Sequence, residues 1–217
     1  MTKLAEDIER LRKLGGVPVE FSSLRWLYSD YASPASKIAQ LCSQGLLVRV
    51  QKGLYQVSEI ISGTQTDPYL IANHLYGPSY VSLESALQEY GLIPEAVYSI
   101  ESITLKRSKH FLTQFGAFHY HHVPSAYYSV GMQTKRTKAG YSYLIASPEK
   151  ALCDHFVKTN GLQVRSRKAM LEYLLEFMRI DAQRLAQLDT SIIGAAANLG
   201  PKQKTLYYLK EAIEWLS

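Results

Sequence analysis

The chain has 217 residues, with 24 Lys and Arg against 19 Asp and Glu, a formal charge of +5, and its composition is 47% hydrophobic and 20% charged. Such a composition is that of an ordinary folded protein and argues against disorder, collagen-like repeats and a disulfide scaffold. The two cysteines, Cys42 and Cys153, show no metal-ligand spacing, and no stretch reads as a signal peptide or a bilayer-spanning helix. We therefore expect a soluble, cytoplasmic protein.

The first part of the chain carries the pattern of three helices. An apolar stripe that begins at Leu4 predicts a helix over residues 3–14, and Gly15-Gly16 ends it. Ser22 or Ser23 is suited to cap a short second helix that runs to about Tyr28. The third helix has Ser33 as its N-cap, Pro34 at its first position and Gly45 at its end.

Two short strands follow the third helix. Residues 46–50 and 54–57 are rich in β-forming side chains, and Gly53 suits the hairpin turn between them. Three helices and a β-hairpin are the order of elements in a winged helix-turn-helix. Small polar residues over 58–68 indicate a linker, and we predict a winged helix-turn-helix DNA-binding domain over residues 1–58.

The rest of the chain, residues 59–217, mixes both kinds of element. Helices are predicted over 68–76 and 83–90, and strands over 97–106, 116–123 and 143–146. Ser147 and Pro148 repeat the capping pattern of Ser33 and Pro34, and from Ser166 onward the pattern is helical. The predicted fold class is therefore α+β, with an N-terminal winged helix-turn-helix and a larger α+β domain that ends in a helical tail.

The third helix is the candidate reader of DNA. With Ile38, Leu41 and Cys42 facing inward, the outward set is predicted to be polar: Ala35, Ser36, Lys37, Gln40, Ser43 and Gln44. Gln pairs with an adenine edge in the major groove, whereas Lys binds guanine or phosphate.

The hairpin turn and the helix starts add candidate phosphate contacts. Residues 1–58 hold eight Lys and Arg against five acidic residues, which is more than half of the net charge. The predicted DNA-binding residues are Arg25, Ser33, Ser36, Lys37, Gln40, Gln44, Arg49, Gln51 and Lys52. Winged helices also serve as protein-interaction modules, so a module without DNA affinity remains an alternative.

Three stretches carry a resemblance to a known family. Residues 36–55 (SKIAQLCSQGLLVRVQKGLY) resemble the recognition helix, Gly-Leu step and Lys-Gly-x-Tyr wing of the AbiEi antitoxins. Residues 80–87 (YVSLESAL) with Gly91-Leu92-Ile93-Pro94, and residues 146–154 (ASPEKALCD), resemble two stretches of the C-terminal region of that family. The resemblance covers residues from about 4 to about 160 and leaves the helices after Ser166 unmatched.

These antitoxins belong to type IV toxin-antitoxin systems of abortive infection and are also described as transcriptional regulators of viral defence systems. The resemblance implies a cytoplasmic autorepressor whose winged helix binds double-stranded operator DNA. It further implies a C-terminal domain that counters a nucleotidyltransferase-like toxin without forming a stable complex with it. Relatives that act as plain regulators, with no toxin partner, are also expected.

A second basic cluster is spread over two runs in the larger domain. It consists of Lys106, Arg107 and Lys109, and of Lys135, Arg136 and Lys138. The two runs are solvated turns on one interpretation. On the other they form a functional surface, which either extends the DNA-facing surface or faces a toxin or RNA.

Other chemically suggestive residues point to packing rather than catalysis. His119 and His121 share one face of a strand and could hold a zinc ion, but a third ligand is missing, and sheet packing is the alternative. Cys153 is predicted to be a core residue. The 16 tyrosines suit either an interface or half-buried sheet positions. With no recognisable catalytic motif, we predict no enzymatic activity, no cofactor and no metal.

Overall fold

The structure is a computed structural model that describes residues 3–162 and 164–217. Met1 and Thr2, which open the stretch considered for a signal peptide, and Gln163 lie outside the described residues. The chain is an α+β protein that divides into two compact units. The first unit contains residues 1–75, 113–115 and 136–143, and the second contains residues 76–112, 116–135 and 144–217.

The first unit combines helices with a small antiparallel sheet. The elements are α1 (Lys3–Arg12), β1 (Val19–Glu20), α2 (Phe21–Leu27), α3 (Pro34–Ser43), β2 (Leu47–Gln51), β3 (Leu54–Val57), α4 (Glu59–Ser62) and α5 (Pro68–Leu75). The strands lie in the order β1-β3-β2, and the apolar faces of the helices and strands form one core around Leu11, Leu24, Ile38 and Leu47.

Local sequence signals set most of these boundaries. The Ser33 side chain accepts a hydrogen bond from the Ser36 amide, Pro34 is the first residue of α3, and Gly45 after it has a φ of 71°. Gly53 in the turn between β2 and β3 has a φ of 89°, a left-handed conformation that favours glycine. These predictions are confirmed.

The start of α2 was predicted wrongly. Ser22 and Ser23 lie inside the helix, and Glu20 occupies the N-cap position. The reason is tertiary, because Val19 and Glu20 pair with β3 and the Phe21 amide donates to the Gly53 carbonyl, so the chain passes directly from strand to helix. Propensity at two serines could not reveal that pairing.

The first unit extends beyond the predicted linker. Ile61 of α4 belongs to the core of this unit, and the Gln51 Nε2 donates to the Leu75 carbonyl at 3.0 Å. The Tyr141 hydroxyl accepts a hydrogen bond from the Gly16 amide and packs so closely on Gly15 that a Cβ there would collide with it. The unit thus reaches Leu75 and draws in two later segments, whereas the sequence pattern placed the boundary after residue 58.

The second unit is built on a mixed six-stranded sheet, with strand order β6-β7-β5-β4-β9-β8. The strands are β4 (Ser79–Val81), β5 (Ser99–Thr104), β6 (Lys109–Thr113), β7 (Gly116–His122), β8 (Met132–Arg136) and β9 (Ser142–Ala146). The β4 strand runs antiparallel to β5 and parallel to β9, and β5 runs parallel to β7. The predicted strands β5, β7 and β9 are confirmed, but the short strands β4, β6 and β8 were not predicted.

Helices complete the second unit. They are α6 (Leu83–Glu89), α7 (Ser125–Tyr128), α8 (Pro148–Lys158), α9 (Arg167–Glu172), α10 (Ala182–Ala186), α11 (Thr190–Leu199) and α12 (Gln203–Leu216), with a π-helical turn over Tyr173–Phe177. The Ser147 side chain caps α8 by accepting from the Lys150 amide, as predicted. Among the described helices, none has the length and apolar character needed to cross a bilayer.

Candidate nucleic-acid interface

The α3 helix presents a polar face to solvent. Ile38 and Leu41 are buried, whereas Ser36, Gln40, Ser43 and Gln44 are exposed, as the helical periodicity predicts. The face contains hydroxyl and amide groups, which are donors and acceptors suited to base edges.

Lys37 does not belong to this face. The prediction that it points outward is wrong, because Lys37 is only 8% exposed and its Nζ lies 2.5 Å from the Asp7 carboxylate of α1. Burial alone would lower the pKa of Lys37, but the hydrogen bond and charge of Asp7 outweigh it, so the pKa is raised. Lys37 flanks the apolar stripe of α3, and its partner lies 30 residues away in the chain. Periodicity could not reveal that partner.

The turn that leads from α2 into α3 is held by a surface ion pair. Arg10 of α1 donates to both carboxylate oxygens of Asp30 at 2.9 Å, and also to the Leu27 carbonyl. The hydrogen bond from Arg10 lowers the pKa of Asp30. At the start of α3 the hydroxyls of Ser33 and Ser36 lie 2.8 Å apart. The N-terminus of α3 is therefore fixed, with two hydroxyls at the surface.

A groove beside this turn contains a residue that the sequence analysis missed. Arg25, Trp26 and Tyr31 line it, and its volume is about 460 Å³. The Trp26 indole is 77% exposed, which is unusual for the largest apolar side chain. Since Leu24 and Leu27 face inward, helical spacing alone would have placed Trp26 outward next to Arg25.

The β2 strand and the turn that follows it carry one exposed cation each. Arg49 and Lys52 are exposed, whereas Gln51 is half-buried and bound to the Leu75 carbonyl. The Gln51 side chain therefore connects the hairpin to the end of α5. Arg49 lies on β2, the strand that packs against α3. The first unit thus presents the exposed polar face of α3 together with one exposed cation on β2 and one in the turn.

The predicted basic residues of the larger domain are distributed over both edges of the six-stranded sheet and over the first unit. Lys106, Arg107 and Lys109 are exposed at or near the edge strand β6, whereas Lys135 lies on β8 at the opposite edge of the sheet. Lys135 also pairs with Glu89. Arg136 and Lys138 are exposed and belong to the segment of residues 136–143 in the first unit.

Residues 80–87 and 146–154 meet at one buried carboxylate. Asp154 lies 2.7 Å from the Lys150 Nζ and accepts hydrogen bonds from the Tyr80 and Ser82 hydroxyls at 3.1 and 2.6 Å. The Lys150 Nζ lies 3.1 Å from the ring centroid of Tyr127. All five side chains are fully buried. We call this group the Asp154 cluster.

Packing in the Asp154 cluster accounts for the polar residues Tyr80, Ser82, Lys150 and Asp154 of these two stretches. Cys153, next to it on α8, is fully buried, and burial raises the pKa of its thiol. The prediction of a core cysteine is confirmed. Tyr80, Tyr120 and Tyr127 are also in the core, so tyrosine serves the interior of this unit at these positions.

The histidines of β7 share one carboxylate. His119 Nδ1 and His121 Nε2 lie 2.9 and 2.7 Å from the two oxygens of Glu101 on β5. The predicted common face of the two histidines is thereby confirmed. Burial raises the pKa of Glu101, but hydrogen bonds from His121 and Ser99 outweigh it, and the net pKa is lowered.

No model of a known protein family matches the sequence, and a search of curated proteins finds no match.

Proposed function

We propose that the protein is a DNA-binding transcriptional regulator whose first unit forms a winged helix-turn-helix. In this proposal α3 enters the major groove, and the turn between β2 and β3 contacts the backbone. The observation that carries it is the exposed polar face of α3, which packs against the strand β2 that bears the exposed Arg49 and leads to the exposed Lys52. Arg25, Ser33 and Trp26 extend the contact along the backbone.

The test of DNA binding is fluorescence anisotropy with the DNA upstream of the protein's own gene. Specific regulators bind their sites roughly 10³-fold or more tightly than non-specific DNA. We expect a strong preference over a scrambled duplex of equal length. Equal affinity for the two duplexes would contradict operator recognition.

We further propose that this regulator is a cytoplasmic antitoxin of the type IV, abortive-infection class and represses its own gene. The support is the resemblance carried by residues 36–55, 80–87 and 146–154. The functional counterpart would be a nucleotidyltransferase-like toxin encoded beside it, which need not be bound. Co-expression with that neighbour should rescue growth, and failure to rescue would leave a plain regulator.

Removal of the wing cation should weaken binding to every sequence alike. Lys52→Ala removes one exposed charge from the turn. We expect a similar loss of affinity for operator and scrambled DNA, and a fall of about 1 in the slope of log affinity against log salt concentration. Anisotropy over a salt series measures both. Lys13→Ala, also exposed in the first unit, is the control and should leave the slope unchanged.

Removal of the central amide of α3 should instead reduce discrimination. Gln40→Ala deletes a side chain that can bond an adenine edge, and one bidentate pair contributes about 1–3 kcal/mol of discrimination. We expect operator affinity to fall while affinity for scrambled DNA stays constant. Gln65→Ala, exposed elsewhere in the first unit, is the matched control. An equal loss on both duplexes would exclude base recognition by Gln40.

A protein-interaction module is the second candidate, and the burial of Lys37 favours it. With Lys37 buried, no Lys or Arg remains among the residues Ser36–Gln44 on the exposed face of α3. Charge reversal at Arg49 and Lys52 distinguishes the two functions. Retained partner binding in that variant, together with no DNA affinity in the parent protein, would establish the module.

A further inference from the structure

The second unit contains a cavity with a volume of about 500 Å³. This volume lies within the range of roughly 300–1,000 Å³ that is typical of small-molecule sites. The cavity is lined by α6, β5, α8 and the end of the π-helical turn, through Glu84, Glu101, His155 and Phe177. Two of these residues are close in sequence to the Asp154 cluster, since Glu84 follows Ser82 by two positions and His155 follows Asp154 directly.

The polar part of the cavity is acidic. Glu84, Glu95 and Glu101 contribute carboxylates, and the ten described residues that line the cavity include no Lys or Arg. Glu95 is paired with Arg179, whereas the partners of Glu84 and Glu101 are histidines and hydroxyls. Glu84 and Glu101 therefore have no lysine or arginine partner among the residues that line the cavity.

Hydrogen bonds fix these two carboxylates in place. Glu84 Oε1 lies 2.7 Å from His155 Nδ1, and His155 Nε2 lies 3.1 Å from the Tyr173 hydroxyl. Burial raises the pKa of Glu84, but the hydrogen bond and charge of His155 outweigh it, and the pKa is lowered. The pKa of Glu101 is lowered as well. Both groups are therefore anionic at neutral pH and oriented by their neighbours.

The remaining wall is apolar and includes an exposed aromatic ring. Ile93, Val97 and Met178 line it together with Phe177. The Phe177 ring is 71% exposed and stacks on Tyr173 at 4.9 Å. Phe177 ends the π-helical turn, and such single turns occur frequently at functional sites. An aromatic face beside fixed carboxylates is the combination that attracts an organic cation.

We propose that this cavity binds a small organic amine, with its ammonium group at Glu84 and Glu101 and its apolar body against Phe177 and Met178. A free small molecule fits better than a single side chain, because the cavity has room for an apolar body beyond the ammonium group. This proposal goes beyond DNA binding and does not depend on it. It assigns a ligand to the second unit, whether or not the first unit is an operator reader.

The charge dependence of binding tests the proposal. Phenethylamine, 2-phenylethanol and 3-phenylpropionate present a similar ring with a positive, a neutral and a negative group. Titration of the full chain, followed by amide chemical shifts of the residues that line the cavity, gives the three affinities. We expect phenethylamine to bind at least tenfold more tightly than the alcohol, and the carboxylate not to bind. No binding of phenethylamine, or equal binding of the amine and the alcohol, would overturn the proposal.

Three variants locate the site. Glu84→Gln and Glu101→Gln should each weaken phenethylamine binding at least fivefold, whereas Glu211→Gln, on an exposed residue of α12, should leave it unchanged. Phe177→Ala removes an exposed ring, so the fold should tolerate it even if the half-buried glutamates do not accept substitution. It should also weaken binding several-fold. Unchanged affinity in Phe177→Ala, or an equal loss in Glu211→Gln, contradicts the assignment.

A peptide probe separates a free amine from a side chain of a protein partner. Nα-acetyl-lysine-N-methylamide carries the same alkylammonium group without a ring. We expect it to bind more weakly than phenethylamine. Tighter binding of the lysine derivative would overturn the assignment of a free amine.

Discussion

Replacement of Lys37 by Met should destabilise the first unit by about 3–5 kcal/mol, because it leaves the Asp7 carboxylate buried without its cation. Asp7 is 3% exposed, and the Lys37 Nζ is 2.5 Å away. Urea unfolding followed by Trp26 fluorescence in a Trp215→Phe background measures the effect. Trp26 and Trp215 are the two tryptophans of the chain, so this background reports on the first unit.

A double variant tests whether the loss of stability comes from the unpaired Asp7 carboxylate. Asp7→Leu combined with Lys37→Met removes both charges, and such replacements of buried pairs are often neutral or stabilising. We expect the double variant to recover most of the lost stability. Lys13→Met, at an exposed position, should change the free energy of unfolding by no more than about 0.5 kcal/mol. A stable Lys37→Met variant with weakened DNA affinity would instead make Lys37 a contact residue.

The pH dependence of this pair follows from the raised pKa of Lys37. A lysine whose pKa is raised by folding contributes stability that is fully present below the unfolded value near 10.5 and is lost as the pH rises through the folded value. The difference between the parent and the double variant should therefore stay constant across neutral pH. In strongly alkaline solution the parent protein should lose stability relative to the double variant.

The second large effect is expected in the Asp154 cluster. Lys150→Met leaves a fully buried carboxylate without a cation, and removal of one partner from a buried pair costs about 3–5 kcal/mol. Urea unfolding followed by Trp215 fluorescence, in a Trp26→Phe background, reports on the second unit. Lys210 provides the matched control, since it also pairs with an acid four residues later, Glu214, but at the surface. Lys210→Met should cost about 0.5 kcal/mol or less.

The opposite substitution should make stability depend on pH. Burial already lowers the pKa of Lys150 despite the charge of Asp154. Asp154→Asn removes that charge, so the pKa of Lys150 in the folded variant should fall further below its value in the unfolded chain. Stability of Asp154→Asn should then rise with pH between neutrality and about 10, relative to the parent protein. A cost in Lys150→Met no larger than that in Lys210→Met would contradict the role given to the cluster.

Features fixed by neighbouring residues could be predicted from the sequence. The caps at Ser33 and Ser147 and the turn at Gly53 were found because each depends on a few adjacent positions. The exposed amide and hydroxyl face of α3 followed from helical spacing. The Ser33 cap, the Gly53 turn and this face of α3 make up most of the candidate nucleic-acid interface.

Features that depend on distant partners could not be found in this way. The inward position of Lys37 depends on Asp7, and the Asp154 cluster joins residues 72 and 74 positions apart. Strands β4 and β8 are short, and the sheet rather than a strong alternating pattern defines them. Trp26 is different, because its outward position was available from the spacing of α2. The cavity at Glu84 and Glu101 is likewise made by segments that are separate in the chain.

The two later segments of the first unit affect the order in which the protein can be completed during synthesis. The Gln114 side chain donates to the Arg49 carbonyl at 2.9 Å, and the Tyr141 hydroxyl accepts from the Gly16 amide at 3.0 Å. The first contact needs the chain to be synthesised through residue 114 and the second through residue 141, when most of the six-stranded sheet has also been translated. The first unit is therefore incomplete as residues 1–58 or 1–75, so those stretches could not be transferred by recombination as a finished module, and its folding is completed only with later parts of the chain.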